Sequence, residues 1–202
     1  MGERPVRAVL FDADGVLQKP RAHWTVHLRE RGWAASDIED FIDTVDSTLD
    51  GHARMYPLAD AFVAARGLPF THDENVALWL DATVDADALA IVGEVRARGV
   101  RTILATNQSH ERAEWMQATL GYEDHLDEQY YSNELGIAKP DPAFFTTICD
   151  ATGVEVADAL FIDDRTDNVE AARAVGLRAE LHPWDAGPDH LRAILVRHGV
   201  LA

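Results

Sequence analysis

The sequence predicts an α/β fold, a parallel sheet with helices on both faces and a helical cap inserted after the first strand. Three observations predict it. The apolar run Val6-Arg7-Ala8-Val9-Leu10-Phe11 breaks off abruptly into polar residues, as a buried strand does. From about Arg21 to Thr83 the pattern is helical, with no strong strand signal. After Asp85, strands and helices alternate, which is the order that builds a parallel sheet.

In the helical stretch, segments of helical period fall near 21–31, 36–50, 55–66 and 73–82. Gly32, Gly51, Pro57 and Gly67-Leu68-Pro69 punctuate them. Trp24, Trp33, Phe41, Phe62 and Trp79 lie in or beside these segments and read as a small core of their own. A helix over 86–98 ends at Gly99, and a strand follows over 100–105. Ser109 suits the N-cap of a helix to about Leu120, with Glu111 and Arg112 early in it. Gln129-Tyr130-Tyr131 is a short strand candidate. Asp141 and Pro142 supply a cap and first position for the next helix. A strand at 159–162, a helix at 167–175 ending at Gly176, a strand at 177–181 and a helix at 187–198 complete the chain. The expected division is a Rossmann-like core of residues 1–17 and 86–202 with a cap of residues 18–85. Linkers near 16–20 and 83–87 are the hinge candidates.

Bulk properties narrow the function. The 202 residues suffice for one core plus a small insert. With 18 basic and 35 acidic residues the formal net charge is −17, and no Lys/Arg cluster is present, so nucleic acid is not an expected partner. No apolar run reaches a membrane span, and the first residues do not read as a signal peptide. The single cysteine, Cys149, allows no disulfide framework, fits a cytoplasmic protein and falls in a predicted helix where it packs. Nothing suggests an obligate assembly, so a monomer or weak dimer is expected.

The chemistry gathers at strand ends. In open parallel sheets, ligands bind beyond the carboxyl edge near a switch point. Here the first strand runs into Asp12-Ala13-Asp14-Gly15-Val16-Leu17, the second into Thr106-Asn107 and the fourth into Asp163-Asp164. Carboxylates brought together repel unless a cation or proton holds them. An oxygen-rich set of this kind suits Mg²⁺. Asp12 can attack phosphorus as a covalent nucleophile. Asp14, two residues on, can protonate the leaving oxygen and later take a proton from water. Thr106 and Asn107 offer donors to a phosphoryl group. Lys139, one of two lysines, can supply fixed positive charge beside Pro140.

These segments, Asp12-x-Asp14-Gly15-Val16-Leu17, Thr106-Asn107, Lys139-Pro140 and Asp163-Asp164, resemble in order and spacing the four motifs of the haloacid dehalogenase-like hydrolase superfamily. The resemblance covers about residues 5–17 and 86–185, and the insert sits where that superfamily carries its helical cap of the first type. It implies Asp12 as nucleophile and Asp14 as general acid/base. It implies Mg²⁺ held by Asp12, the Asp14 backbone carbonyl and the pair Asp163 and Asp164, with Asp164 aligned to the usual direct ligand and Asp163 helping directly or through water. Thr106 and Asn107 would bind phosphoryl oxygens, and Lys139 would bridge phosphate and nucleophile. Asn168 departs from the family, which often has a carboxylate there.

The resemblance implies a phosphatase acting on a small phosphorylated metabolite. The second aspartate argues against a dehalogenase, because halide leaves unprotonated. A phosphomutase of the β-phosphoglucomutase type and a non-catalytic binding module on the same fold are the alternatives. Arg165 and Asp167 read as loop and first-turn residues, and His23 and His27 as solvated cap residues or, at most, substrate contacts. Specificity is expected from the cap, around Gly51-His52-Ala53-Arg54, with Arg54 pairing at the surface or meeting a substrate anion.

Overall fold

The structure, a computed structural model, describes residues 4–20 and 22–202. Residues 1–3 of the expected core and Arg21, the expected start of the first cap helix, lie outside the described residues.

Five parallel strands form the sheet. They are β1 (Ala8–Phe11), β4 (Arg101–Thr106), β5 (Glu128–Tyr131), β6 (Ala159–Asp163) and β7 (Arg178–Leu181), in the order β5-β4-β1-β6-β7. Apolar side chains alternate across it. Val9, Phe11, Leu104, Leu160 and Ile162 enter one core with α5 (Ala86–Ala97), α6 (His110–Thr119) and α11 (Gly187–Arg197). Ala8, Leu10, Ile103, Ala105 and Phe161 enter the other with α9 (Pro142–Thr152), which carries the buried Cys149, and α10 (Thr166–Ala174). Strands buried on both faces need apolar residues throughout, which explains the near-continuous runs in the sequence.

The chain builds β4 and β5 on one side of β1 and then crosses to build β6 and β7 on the other. The crevice between β4 and β6, over the end of β1, is therefore the switch point. Phe11 pairs with Leu104 and with Ile162, so Asp12, Thr106 and Asp163 emerge together. The Asp12 N–H donates to the Ile162 carbonyl at 2.9 Å, carrying the ladder one residue past the strand.

The stretch between β1 and α5 folds as four helices, α1 (Trp24–Glu30), α2 (Ala35–Asp46), α3 (Met55–Arg66) and α4 (His72–Trp79). They enclose a separate core in which Trp33, Phe41 and Trp79 are buried and Trp24 and Phe62 pack against it. Thr71 and Glu74 form a capping box on α4. One feature departs from expectation. Residues Gln18–Lys19 (β2) and Thr83–Val84 (β3) pair antiparallel, and Asp85 N–H bonds the Leu17 carbonyl at 2.8 Å. The two expected linkers are thus laced to each other. Two-residue strands show no period in sequence. The same brevity hid α7 (Tyr122–His125) and α8 (Ser132–Leu135), four residues each. No helix among the described residues is long and apolar enough to cross a membrane.

Candidate active site

Asp12 lies just beyond β1, 6% exposed, at the floor of a cavity of about 290 Å³ between the sheet edge and the four helices. Gly15 turns the chain after it with φ of +77°. A side chain at Gly15 would meet the Asp164 carboxylate at 2.7 Å and the Trp184 ring at 2.9 Å, so glycine lets both approach.

Lys139 binds the floor together. Its Nζ lies 2.9 Å from Asp12 Oδ1 and 2.7 Å from Asp163 Oδ2, and donates to the Ala105 carbonyl at 2.9 Å. Burial opposes the ammonium charge, but Asp12 and Asp163 outweigh it, and Lys139 holds its proton more firmly than a free lysine. Asp163 is fully buried and saturated. Besides Lys139 it accepts from Arg165 N at 2.8 Å and from Asn168 Nδ2 at 3.0 and 3.1 Å. Asn168 therefore orients Asp163 as a donor, which a carboxylate at that position could not do.

Asp12, Asp163 and Asp164 each bring an oxygen within 4.8 Å of the others. Burial pushes the Asp12 carboxyl up to about 7, against the pull of Lys139 and with repulsion from Asp163 and Asp14 adding to it. Burial and the repulsion of Asp12 and Asp163 push Asp164 up to about 8. A buried cluster that resists ionising fully on its own fits a hard divalent cation with oxygen ligands. The buried Asn168 Oδ1 in the cavity wall has no hydrogen-bond partner among the described residues, a further acceptor consistent with that fit.

Asp14 stands apart from the cluster. Its Oδ2 accepts from Arg112 Nη1 at 2.5 Å and Gln108 Nε2 at 2.9 Å, and its Oδ1 from Arg112 Nη2 at 2.8 Å and Gln18 Nε2 at 2.9 Å. Burial alone would raise its pKa, but Arg112 and the two amides outweigh it and hold the carboxyl below the usual range. Thr106 is buried, and its hydroxyl accepts from Gln108 Nε2 at 3.0 Å. Asn107 lines the cavity, and its side chain also bonds the main chain of Lys139. Its Oδ1 accepts from Lys139 N at 2.9 Å and its Nδ2 donates to the Lys139 carbonyl at 2.8 Å. It clamps the main chain that carries the lysine.

Arg112, Gln108, Gln18 and Trp184 are site residues that the motifs do not announce. Gln108 and Arg112 are four apart across the start of α6, a spacing that puts two side chains on one face. That spacing is visible in sequence, but not the carboxylate they share. Of the two expected places for His23, the structure gives the one beside the site: it lines the cavity, its ring 4.9 Å from that of Trp24 and 5.0 Å from that of Trp184. Arg54 pairs with the exposed Glu114 at 3.0 Å, the surface role. Gly51 is a docking point rather than a lining residue: His110 Nε2 donates to its carbonyl at 2.8 Å, and an added Cβ would strike the Asn133 carbonyl at 2.2 Å.

Known proteins share this plan. Phosphatase MT3486 of Mycobacterium tuberculosis (strain CDC 1551 / Oshkosh) is 31% identical over 199 residues, covering 87% of this chain and 87% of that protein. A phosphoglycolate phosphatase of Rhodospirillum rubrum is 29% identical over 187 residues, covering 85% and 77%. Among solved structures, a magnesium complex of a haloacid dehalogenase family enzyme from Bacteroides thetaiotaomicron superposes with a TM-score of 0.77, at 20% identity over 94% of this chain and 99% of that one. Residues 6–176 match the family model for haloacid dehalogenase-like hydrolase, and the chain belongs to that family.

Proposed function

We propose that the protein is a Mg²⁺-dependent phosphatase that hydrolyses a small phosphate monoester through an aspartyl-phosphate on Asp12. The observation that carries this reading is the convergence of the buried Asp12 with Lys139, Asp163 and Asp164 at the switch point of the sheet. The phosphatase names of the relatives support the reaction class. A further structure of the Bacteroides thetaiotaomicron enzyme, solved with magnesium and inorganic phosphate, supports the cation.

In this reading Asp12, Asp164 and the Asp14 backbone carbonyl would hold the cation. Asp163 contributes mainly by fixing Lys139. When bound, Mg²⁺ neutralises charge between the nucleophile and the phosphoryl oxygens. The Asp12 carboxylate attacks phosphorus, the bond from phosphorus to the ester oxygen breaks, and the departing oxygen takes a proton from Asp14. Water then attacks the aspartyl-phosphate, gives a proton back to Asp14 and releases phosphate with the Asp12 carboxylate restored. Lys139 and the Thr106 hydroxyl bind phosphoryl oxygens, and Asn107 acts through the Lys139 main chain. The four donors around Asp14 hold it as a carboxylate, the form that takes the water's proton in the second step, and in the first step it passes to the leaving oxygen the proton that a phosphate monoanion brings with it.

The test is hydrolysis of p-nitrophenyl phosphate with and without Mg²⁺ by the wild type and by Asp12→Asn. Metal-dependent turnover lost in the variant, with a borohydride-reducible acyl phosphate on Asp12 in the quenched wild type, is expected. Turnover that survives Asp12→Asn would overturn the mechanism.

A further inference from the structure

The cavity has two unlike walls. The sheet side is polar and carries the groups assigned above. The wall from the four helices is carbon: Trp24, Val45, Leu49, Met55, Leu78 and Trp79. The Trp24 and Trp79 rings lie 5.3 Å apart. Trp79 Nε1 donates to Asn75 Oδ1 at 3.0 Å, so the one polar atom of that indole is already engaged.

The charges around this wall matter as much. Asp46 and Asp81, the charged residues added on the helical side, are both acidic. Three cations line the cavity, and each is committed. Arg112 is held by Asp14, and Lys139 by Asp12 and Asp163. Arg165 meets Asp167 at 2.8 Å and Asp46 at 3.7 Å. Lys139 serves the phosphoryl group itself. Among the described residues that line this cavity, no lysine or arginine is left without a carboxylate partner to receive a second anionic group on the substrate. Such a group would be stripped of water against indole and methyl surface without a partner, which disfavours binding. The volume of about 290 Å³ lies just below the usual range of ligand pockets, about 300–1,000 Å³.

We infer that the leaving group is an uncharged, flat, apolar alcohol, so that the substrates are small aryl or allylic phosphate monoesters rather than phosphorylated acids, sugars or nucleotides. The inference rests on the phosphatase reading and adds the substrate class. Stacking between tryptophans and a planar group is the contact the wall is built to make. It separates this chain from its relative that acts on phosphoglycolate, whose leaving group bears a carboxylate.

The test compares kcat/KM, with Mg²⁺ present, for phenyl phosphate, dimethylallyl phosphate, phosphoglycolate and glucose 6-phosphate. The first two are expected to exceed the last two by about tenfold or more. Trp24→Ala is expected to lower the ratio of phenyl phosphate to acetyl phosphate turnover about tenfold, and Trp24→Phe to restore most of it. Leu49→Lys, which places a free ammonium on the apolar wall, is expected to raise phosphoglycolate turnover relative to phenyl phosphate. Preference for phosphoglycolate or glucose 6-phosphate by the wild type would overturn the substrate class and leave the phosphatase reading standing. Failure on all substrates, acetyl phosphate included, would overturn the phosphatase reading and the inference with it.

Discussion

Arg112 grips Asp14 with both arms of its guanidinium, at 2.5 and 2.8 Å, while its Nε donates to the Trp79 carbonyl at 2.8 Å. One side chain thus joins the acid/base candidate to the last residue of α4. Arg112→Met leaves the partly buried Asp14 without its counter-charge, a change that costs about 1–3 kcal/mol. Urea unfolding should show a loss of that order, and Arg112→Met with Asp14→Asn should recover part of it. Arg112→Lys should still lower kcat, by up to about 10²-fold, because a single ammonium cannot hold both oxygens.

Asn107 predicts a split between stability and chemistry. Asn107→Ala removes two hydrogen bonds to the Lys139 main chain, and the expected loss is about 2 kcal/mol by thermal or urea unfolding. Activity should fall because the Nζ drifts, so raising substrate should not rescue kcat. A variant that merely weakened substrate binding would recover at saturation.

The raised carboxyls make stability depend on pH in a definite direction. Asp12 near 7 and Asp164 near 8 both bind protons more tightly in the folded state than in the unfolded chain. Their contribution is therefore fully present below about pH 4 and is lost as pH rises toward 8. Mg²⁺ needs the deprotonated form, so its stabilisation should grow over the same window. The lowered His23 and His182 act in the opposite sense between these limits, but they cancel when Tm with Mg²⁺ is compared with Tm in chelator. A difference in Tm that is larger at pH 8 than at pH 5 is expected, and Asp164→Asn should flatten it.

Two glycines with the same backbone test how the helices sit on the sheet unit. Gly51 and Gly32 have φ of +77° and +80°. Alanine at Gly32 meets nothing within 4 Å and should cost only the backbone penalty of about 1–2 kcal/mol. Alanine at Gly51 must push the Asn133 carbonyl away and should cost more, with a raised KM. Equal effects from the two would show that the Gly51 contact does not govern the cavity.

The sheet was legible because its three central strands, β4, β1 and β6, are buried on both faces and punctuated by Gly and polar breaks. The floor of the site was legible because Asp12, Lys139, Asp163 and Asp164 sit at strand ends or beside them, where order along the chain converts directly to position in space. Asn107 shows the limit. Its place was foreseen, but its hydrogen-bond partner is a main chain 32 residues away, which no local pattern encodes. The same holds for Arg112 and Asp14, 98 residues apart. The β2–β3 pair and the four-residue helices were hidden for another reason, since neither spans enough residues to repeat a period.

Three successive residues of the first turn of α6 hold the helical stretch, each with its side chain on a backbone atom of that stretch. His110 binds the Gly51 carbonyl, Glu111 accepts from Met55 N at 3.2 Å, and Arg112 binds the Trp79 carbonyl. Backbone atoms are present whatever the side chain is. The apolar wall can therefore be rewritten at Trp24, Leu49 or Leu78 over evolutionary time while the attachment that positions it stays intact. A family that diversifies its substrates gains from such an arrangement, because new pockets can be tried without a new way of holding them in place.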